Sequence, residues 1–427
     1  MAEVLVVGGG GREHALAWAL AGSSEVTRVY VAPGNAGTVG PAGDGRAEMV
    51  RVPLAADDLE GLAGFAAERG VALTVVGPEA PLAAGLADRF AEAGLAVFGP
   101  RREAARIEAS KAFAKALMEE AGVPTASWRA FEHLEAALRH LEATPAPWVV
   151  KASGLAAGKG VLVTGDYEEA RAFVQGLFAG RFGAAGRRVV IEAYLEGPEL
   201  SVFAVAAGER FVLLPPARDY KRIYEGGLGP NTGGMGAQSP VALAPGLLEE
   251  VGRTVIAPTL AALAARGTPY LGVLYAGLKL TPAGPKVLEF NARFGDPETQ
   301  AVLPLLRSDL YRLLMDAVEG RPDAAPLQHA GAALAVVLAA PGYPGPYPKG
   351  LPIRGLEQAA ALPGVHVFHA GTERAEGRVV TAGGRVLAVV GRADTPEQAR
   401  ARAYAAVRRV RFEGMHYRRD IGTEVVG

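Results

Sequence analysis

The 427-residue chain contains no cysteine. Disulfides, thiolate nucleophiles and cysteine-ligated zinc or iron–sulfur centres are thereby excluded. It also lacks a charge excess. Its 44 basic and 45 acidic residues leave a net charge of −1, so no global field exists to hold nucleic acid or another polyanion. Long apolar runs are missing. The longest, Ala332 to Ala340, falls far short of the ~20 residues that span a bilayer, and no membrane partner is expected. No basic cluster precedes the apolar residues Met1 to Val7, which read as a strand and not as a signal peptide, so a cytoplasmic protein is expected. The seven histidines do not cluster along the chain. His366 and His369 are three apart on an expected strand and point to opposite faces, which argues against a metal site. Lysine is scarce. Lys111, Lys115, Lys151, Lys159, Lys221, Lys279, Lys286 and Lys349 are all there are, and arginine supplies the remaining basic residues. Each lysine is therefore a candidate for a task that needs a compact ammonium.

What is present describes a globular protein. Residues are 50% hydrophobic and 21% charged, enough apolar surface to offset ordering entropy. At about 100–200 residues per domain the length suggests two to four domains. Short apolar strands (Val4–Val7, Val29–Ala32, Leu73–Val76, Ala96–Phe98) alternate with helices near 12–21, 56–69 and 80–93. Strands apolar on both faces and joined by helices predict a doubly wound parallel sheet, ending near residue 102. Ser110 can cap a helix running to about Gly122. A second part, 103–325, turns β-rich from Glu199, contains a helix over Gly246–Arg266, and ends in a linker at Arg321–Pro326. A small α+β part, 326–427, follows. The segment Gly226–Gly236 has no periodicity, and loops that long are uncommon unless functional.

Three stretches carry chemistry. Gly8–Gly11 follows a strand and opens a helix, so glycine amides and the helix dipole could hold a phosphate. The alternative is a tight turn without a ligand. A dinucleotide site is disfavoured. Glu13 or His14 stands where the fingerprint needs glycine or alanine, and Ala32–Asn35 offers no acid after the second strand. Lys151 on a strand precedes the glycine-rich Ser153–Gly160. The spacing to Lys159 is wrong for a P-loop, and Gly160 replaces its Ser/Thr. The segment is either a loop that closes over phosphates or an ordinary hairpin. In Glu289–Glu298, strand parity puts Glu289, Asn291 and Arg293 on one face. A carboxylate and an amide oxygen suit Mg²⁺, and Arg293 suits a carboxylate or phosphate. The bland reading of that stretch is a solvated sheet face.

Several motifs together are similar to the phosphoribosylamine–glycine ligase family of the ATP-grasp superfamily. They are Gly10–Leu16 (GGREHAL beginning at Gly10), Ala32–Gly37 (APGNAG), Val76–Leu82 (VGPEAPL), Ser110–Phe113 (SKAF), Lys151–Val161, Gly229–Ala237 (GPNTGGMGA) and Arg293–Gln300 (RFGDPETQ). The matches are collinear over essentially the whole chain. The resemblance implies an N-terminal Rossmann-like substrate domain (1–102), an ATP-grasp domain (103–325, with a lid at about 124–191) and a C-terminal domain (326–427). It implies ATP-dependent joining of glycine to 5-phosphoribosylamine through glycyl phosphate, with Mg²⁺ or Mn²⁺, small-molecule partners and no need for an oligomer. Arg293, Lys151 and Asp296 would be catalytic, and Glu289 and Asn291 would hold the metal. The nucleotide would lie on Lys111, Lys151, Gly158, Lys159, Gly160, Glu192, Tyr194, Leu195 and Glu199. The other substrates would meet Gly10, Gly11, Arg12, Glu13, Gly34, Asn35, Pro78, Glu79, Asp219, Lys221, Asn231, Gly233, Gly234 and Met235. Two departures stand out. Gly9 lies where many relatives have asparagine, and Ala193 stands where a second glutamate is usual, which moves the ribose contact to Glu199. Rival readings are another ATP-grasp ligase or carboxylase, a nucleotide-binding protein without catalysis, and a dehydrogenase.

Overall fold

The computed structural model describes residues 1–41, 45–156 and 159–423. Its first sheet runs in the order Gly40–Pro41, Glu48–Arg51, Val26–Pro33, Ala2–Gly8, Leu73–Val76, Val97–Phe98. All pairings in it are parallel except the short Gly40–Pro41 strand at its edge. The expected doubly wound sheet is present, and its central strand shows why. Val4 and Val6 pack into one core with Leu16 and Leu20, while Leu5 and Val7 pack into another with Leu62 and Leu86. A strand buried on both faces needs a continuous apolar run.

The expected helix over 80–93 is two helices, Glu79–Ala84 and Leu86–Glu92. They break at Gly85, whose φ of 97° is left-handed, and the Arg102 guanidinium lies where a Cβ would sit. Ser110 caps the helix Lys111–Glu120 as expected, accepting from the Phe113 amide at 3.3 Å. The helix near 246–266 runs as Leu247–Val251 and Ala257–Ala265, joined through a π-turn at Gly252–Ile256.

Three antiparallel sheets of four or five strands follow, besides two-stranded hairpins. Trp128–Phe131, Val189–Ala193, Trp148–Ala152 and Val161–Thr164 form one, packed against the helices Leu134–Ala143 and Tyr167–Phe178. The second is Arg210–Leu213, Glu199–Ala207, Leu271–Thr281 and Gly284–Asn291. The third runs Arg218–Asp219, Gly236–Ser239, Ala332–Ala339, Arg385–Ala393, Val365–His369. The middle of the chain therefore enters the last sheet, with Gly236–Ser239 paired along Ala332–Ala339. The glycine-rich Gly226–Gly236 is not structureless. It forms a hairpin of Arg222–Tyr224 with Leu228–Asn231 before that strand.

The first helix also meets the last sheet. Trp18, on the helix Gly11–Leu20, lies 4.6 Å from the His366 ring, and the His14 and His369 ring centroids are 5.7 Å apart. Histidines separate in sequence thus gather in space. No group of three ligating side chains suited to a metal occurs among the described residues. No helix there is long and apolar enough to cross a membrane.

Candidate active site

A cleft of about 1050 Å³ opens between the two central sheets, the carboxyl ends of the N-terminal strands and the last sheet. One wall begins at the capped helix Lys111–Glu120. The first-turn lysine, Lys111, reaches the Gly154 carbonyl at 3.4 Å, touching the glycine-rich loop. Lys115, one turn on, is buried and lies 2.9 Å from Glu192 Oε2. Lys151, from the strand Trp148–Ala152, lies 2.9 Å from Glu192 Oε1 and donates to the Leu288 carbonyl at 3.0 Å. Burial pushes Lys111 down, and it pushes Lys115 down to about 8 despite Glu192. Glu192 itself is a buried counter-ion for two lysines and not a free ligand. Tyr194, Leu195, Lys159 and Gly160 also line the cleft. Gly158 lies outside the described residues.

Glu199 sits 2.7 Å from Lys221 and 3.3 Å from Lys279. Burial works to raise its carboxyl, but the two ammonium groups hold it down at about 2. Nearby Asp219 is pushed up to about 7 by burial, against the pull of Lys221. For Glu289 burial again works upward, and the charges of Lys221, Lys151 and Lys111 outweigh it, leaving an ionised carboxylate.

Two residues along the strand face, Asn291 Oδ1 accepts from Arg293 Nη2 at 3.3 Å. Arg293 also pairs with Glu79 and Glu108, each at 3.1 Å. Burial opposes its charge, yet Glu108 and Glu79 overcompensate and hold the guanidinium firmly protonated. Asp296 meets Arg385 at 2.7 Å and accepts from Gln300 at 2.7 Å.

The glycine turn differs from its expected form. The Gly10 amide is not bare: it donates to Glu13 Oε2 at 2.7 Å. Glu13 Oε1 takes Arg12 Nε at 2.6 Å, and Arg12 Nη1 donates to the Phe294 carbonyl at 3.2 Å. A glutamate at the third helical position satisfies an orphan amide that a ligand could otherwise use. Asn35 is likewise occupied, its amide donating to the carbonyls of Gly9 (3.0 Å) and His369 (2.8 Å). Of this group Arg12 lines the cleft, with Pro78 and Glu79, whereas Gly10, Gly11, Glu13, Gly34 and Asn35 do not. Asn231 and Gly233 line it, as do Asp219 and Lys221. Gly234 instead packs on Pro297, and Met235 is buried beside Ile223 and Ala339.

Sequence reasoning gave no site role to Glu108, Glu298 and Arg385, and left Lys115 as one candidate lysine among eight, yet all four line the cleft. Lys115 had a signal, since it follows Lys111 by four residues on one helix face. Glu298, inside the RFGDPETQ stretch, accepts from Tyr275 at 2.5 Å. Arg385 and Glu108 carry no local signal.

Comparison with known proteins follows the same three-part order. Residues 2–108 match the phosphoribosylglycinamide synthetase N domain, 109–299 its ATP-grasp (A) domain and 333–424 its C domain. The chain is 50% identical over 428 residues to a phosphoribosylamine–glycine ligase of Nostoc sp., covering 99% of each protein. It is 47% identical to that of Halalkalibacterium halodurans, covering 99% of this chain and 97% of that protein. Among solved structures it resembles the phosphoribosylamine–glycine ligase of Thermotoga maritima, with a TM-score of 0.84, 35% identity, and coverage of 98% and 100%. The biotin carboxylase domain of a Hydrogenobacter thermophilus 2-oxoglutarate carboxylase shares the fold, with a TM-score of 0.72 at 18% identity over 97% of this chain and 91% of that one. With family matches over most of its length and relatives this similar from end to end, the chain belongs to the phosphoribosylglycinamide synthetase family and carries its ATP-grasp fold.

Proposed function

We propose that this chain joins glycine to 5-phosphoribosylamine at the expense of ATP, giving glycinamide ribonucleotide, ADP and phosphate, in the cytoplasm and with small molecules as its partners. The observation that carries the reading is the gathering of Lys111, Lys151 and Lys221 around Glu289, with Arg293, just past the end of that strand, donating to Asn291. That arrangement suits a triphosphate beside a carboxylic acid. Glycine's carboxylate is a poor electrophile. One of its oxygens attacks the γ-phosphorus, ADP leaves, and glycyl phosphate results. The amine of phosphoribosylamine then attacks the carbonyl carbon, loses a proton and expels phosphate.

In such transfer the protein mostly positions groups and neutralises charge. Lys111 and Lys151 neutralise the phosphates. Arg293, held by Glu79 and Glu108, orients the glycine carboxylate and the transferring phosphoryl, and Asp296 keeps the loop beside it in place. Backbone groups at Ala193–Leu195 read the adenine, since the Glu192 side chain is committed to lysines, and Glu199 faces the ribose. The glycine-rich loop between Trp148–Ala152 and Val161–Thr164, which carries Lys159 and Gly160, closes as a lid against water. Arg12, Pro78, Glu79, Asp219, Lys221, Asn231 and Gly233 meet the other substrates. The turn Gly10–Glu13 and the residues Gly34, Asn35, Gly234 and Met235 act through the shape they give the wall. The assignments 1–102, 103–325 and 326–427 divide these tasks among three domains.

Glu289 and Asn291 fit a divalent cation. No described residue places a hydrogen bond or ion pair on the Glu289 carboxylate, its charge is preserved in a half-buried setting, and one carboxylate plus one amide oxygen is a usual protein share for Mg²⁺. When bound there, Mg²⁺ or Mn²⁺ would supply charge neutralisation between the phosphates. The test is ADP release measured with each substrate withheld in turn, generating phosphoribosylamine from ammonia and ribose 5-phosphate. Release that needs both glycine and phosphoribosylamine supports the reading, and release indifferent to either refutes it.

A further inference from the structure

The last sheet sends one cation into the cleft that none of the motifs announced. Arg385 begins the strand Arg385–Ala393. Its Nη1 donates to the Gly233 carbonyl at 2.5 Å and to the Asp296 carbonyl at 2.9 Å, and its Nη2 meets Asp296 Oδ2 at 2.7 Å. One guanidinium thus ties together two loops remote in sequence. The first is the glycine-rich GPNTGGMGA loop and the second is the RFGDPETQ loop that carries Arg293.

The amide side of the same residue is also held from the C-terminal part. The Gly233 amide donates to the Tyr343 hydroxyl at 3.1 Å. The neighbouring Pro344 carbonyl accepts from Lys159 of the glycine-rich loop at 3.4 Å. The contacts are tight. A Cβ on Gly233 would lie 2.9 Å from the Arg385 guanidinium carbon, and one on Gly234 would lie 2.4 Å from Pro297. Gly234 also has a φ of 110°, so the loop bends in a way that L side chains resist.

We propose that Arg385 is a positioning residue for the ligation step. With Tyr343 it locks the Gly233 loop against the Asp296 loop, so that the groups meeting glycine and phosphoribosylamine stand at a fixed spacing. This rests on the ligase reading above. Arginine is required because its planar fork serves two carbonyls and a carboxylate at once, which a lysine ammonium cannot do with the same geometry. The nucleotide lysines Lys111 and Lys151 belong to other elements and do not touch this clamp. Displacing a reacting group by about 1 Å can cost on the order of 100-fold in rate.

The experiment compares wild type, Arg385→Ala, Arg385→Lys and Tyr343→Phe. Each is assayed for ADP release at varied glycine, phosphoribosylamine and ATP, for ADP binding by calorimetry, and for melting temperature. Arg385→Ala is expected to lose about 100-fold in kcat/KM for glycine and phosphoribosylamine. Its ADP affinity should stay within about threefold of wild type. Added guanidinium ion should restore part of the activity, Arg385→Lys should restore little, and Tyr343→Phe should show a smaller loss in the same parameters. Unchanged kcat/KM in Arg385→Ala overturns the proposal. So does a loss that falls equally on ADP binding, tracks a lower melting temperature and resists guanidinium. Wild-type enzyme that releases ADP without needing both co-substrates refutes the ligase reading instead, and that control is read before any variant.

Discussion

Replacing Glu192 by glutamine removes one negative charge from between two buried lysines and changes almost no volume. Lys115 and Lys151 each lie 2.9 Å from a Glu192 oxygen, and all three side chains are at most 6% exposed. At an effective dielectric constant near 20, each contact is worth about 6 kcal/mol of gross attraction. Most of that offsets desolvation, and breaking a buried pair by deleting one partner costs about 3–5 kcal/mol net. For a cooperative unit of about 200 residues, this is a melting-temperature loss of roughly 10 °C at pH 7. The deficit should depend on pH. Lys115 stands at about 8 in the folded protein, below its usual value, chiefly through burial. A folded pKa below the unfolded one means that the unfolded chain binds more protons, so stability rises with pH across that interval. Without Glu192 the folded value falls further and Lys115 becomes neutral earlier. By pH 9 the native Lys115 is mostly neutral too, so the share of the deficit that comes from the Lys115–Glu192 contact should shrink, while the share from the Lys151–Glu192 contact stays. Calorimetry or dye-monitored melting at pH 7 and pH 9 checks this. A variant within 2 °C of wild type at pH 7, or a deficit undiminished at pH 9, would refute the account of Glu192 as a counter-ion.

Glu289→Ala should cut turnover by several kcal/mol of transition-state stabilisation at saturating Mg²⁺, while melting shifts less than in Glu192→Gln; wild-type rates would remove Glu289 from the metal assignment. Acid should loosen the contact between the helix Gly11–Leu20 and the strand Val365–His369. His14 is pushed down to about 3 by burial and by His369, while His366 and His369 are each at about 4, through burial first and then nearby arginines. These folded values lie below the ordinary 6.5, so their contribution to stability is complete above pH 6.5 and is lost as pH falls toward 3–4. Melting temperature should drop from pH 7 to pH 5, and less so in His14→Gln. Gly77→Ala should destabilise by about 1–3 kcal/mol through overpacking, because a Cβ there would lie 2.0 Å from Glu13 Oε1; equal urea midpoints for variant and wild type would show that Glu13 is not wedged as described.

The legible parts of the sequence were those where local pattern and structure share a cause. Val4–Val7 is buried on both faces, and an unbroken apolar run is the only way to write such a strand. Glu289 and Asn291 were readable because strand alternation puts them on one face, whereas the strand ends at Asn291 and Arg293 reaches Asn291 from the bend beyond it. The illegible parts depend on distance. Arg385 meets Asp296 across 89 residues, and Glu108 accepts from the Ala292 amide across 184, so no window along the chain holds both partners. The glycine turn misled for a different reason. Its bare amides were inferred from glycine content, whereas Glu13, three residues from Gly10, satisfies one of them. The helix break at Gly85 was hidden because a single glycine in a helical pattern is usually tolerated.

The central claim is that ATP activates the carboxylate of glycine before the amine attacks. It is tested by supplying glycine labelled with ¹⁸O in both carboxylate oxygens and analysing the phosphate released in a reaction containing ATP, Mg²⁺ and phosphoribosylamine. Attack on the γ-phosphorus through a carboxylate oxygen, followed by expulsion of phosphate, transfers one labelled oxygen to each phosphate and leaves one in the amide. Phosphate carrying one ¹⁸O per molecule of product is the predicted result. Unlabelled phosphate, with both labelled oxygens retained in unreacted or released glycine, would contradict it.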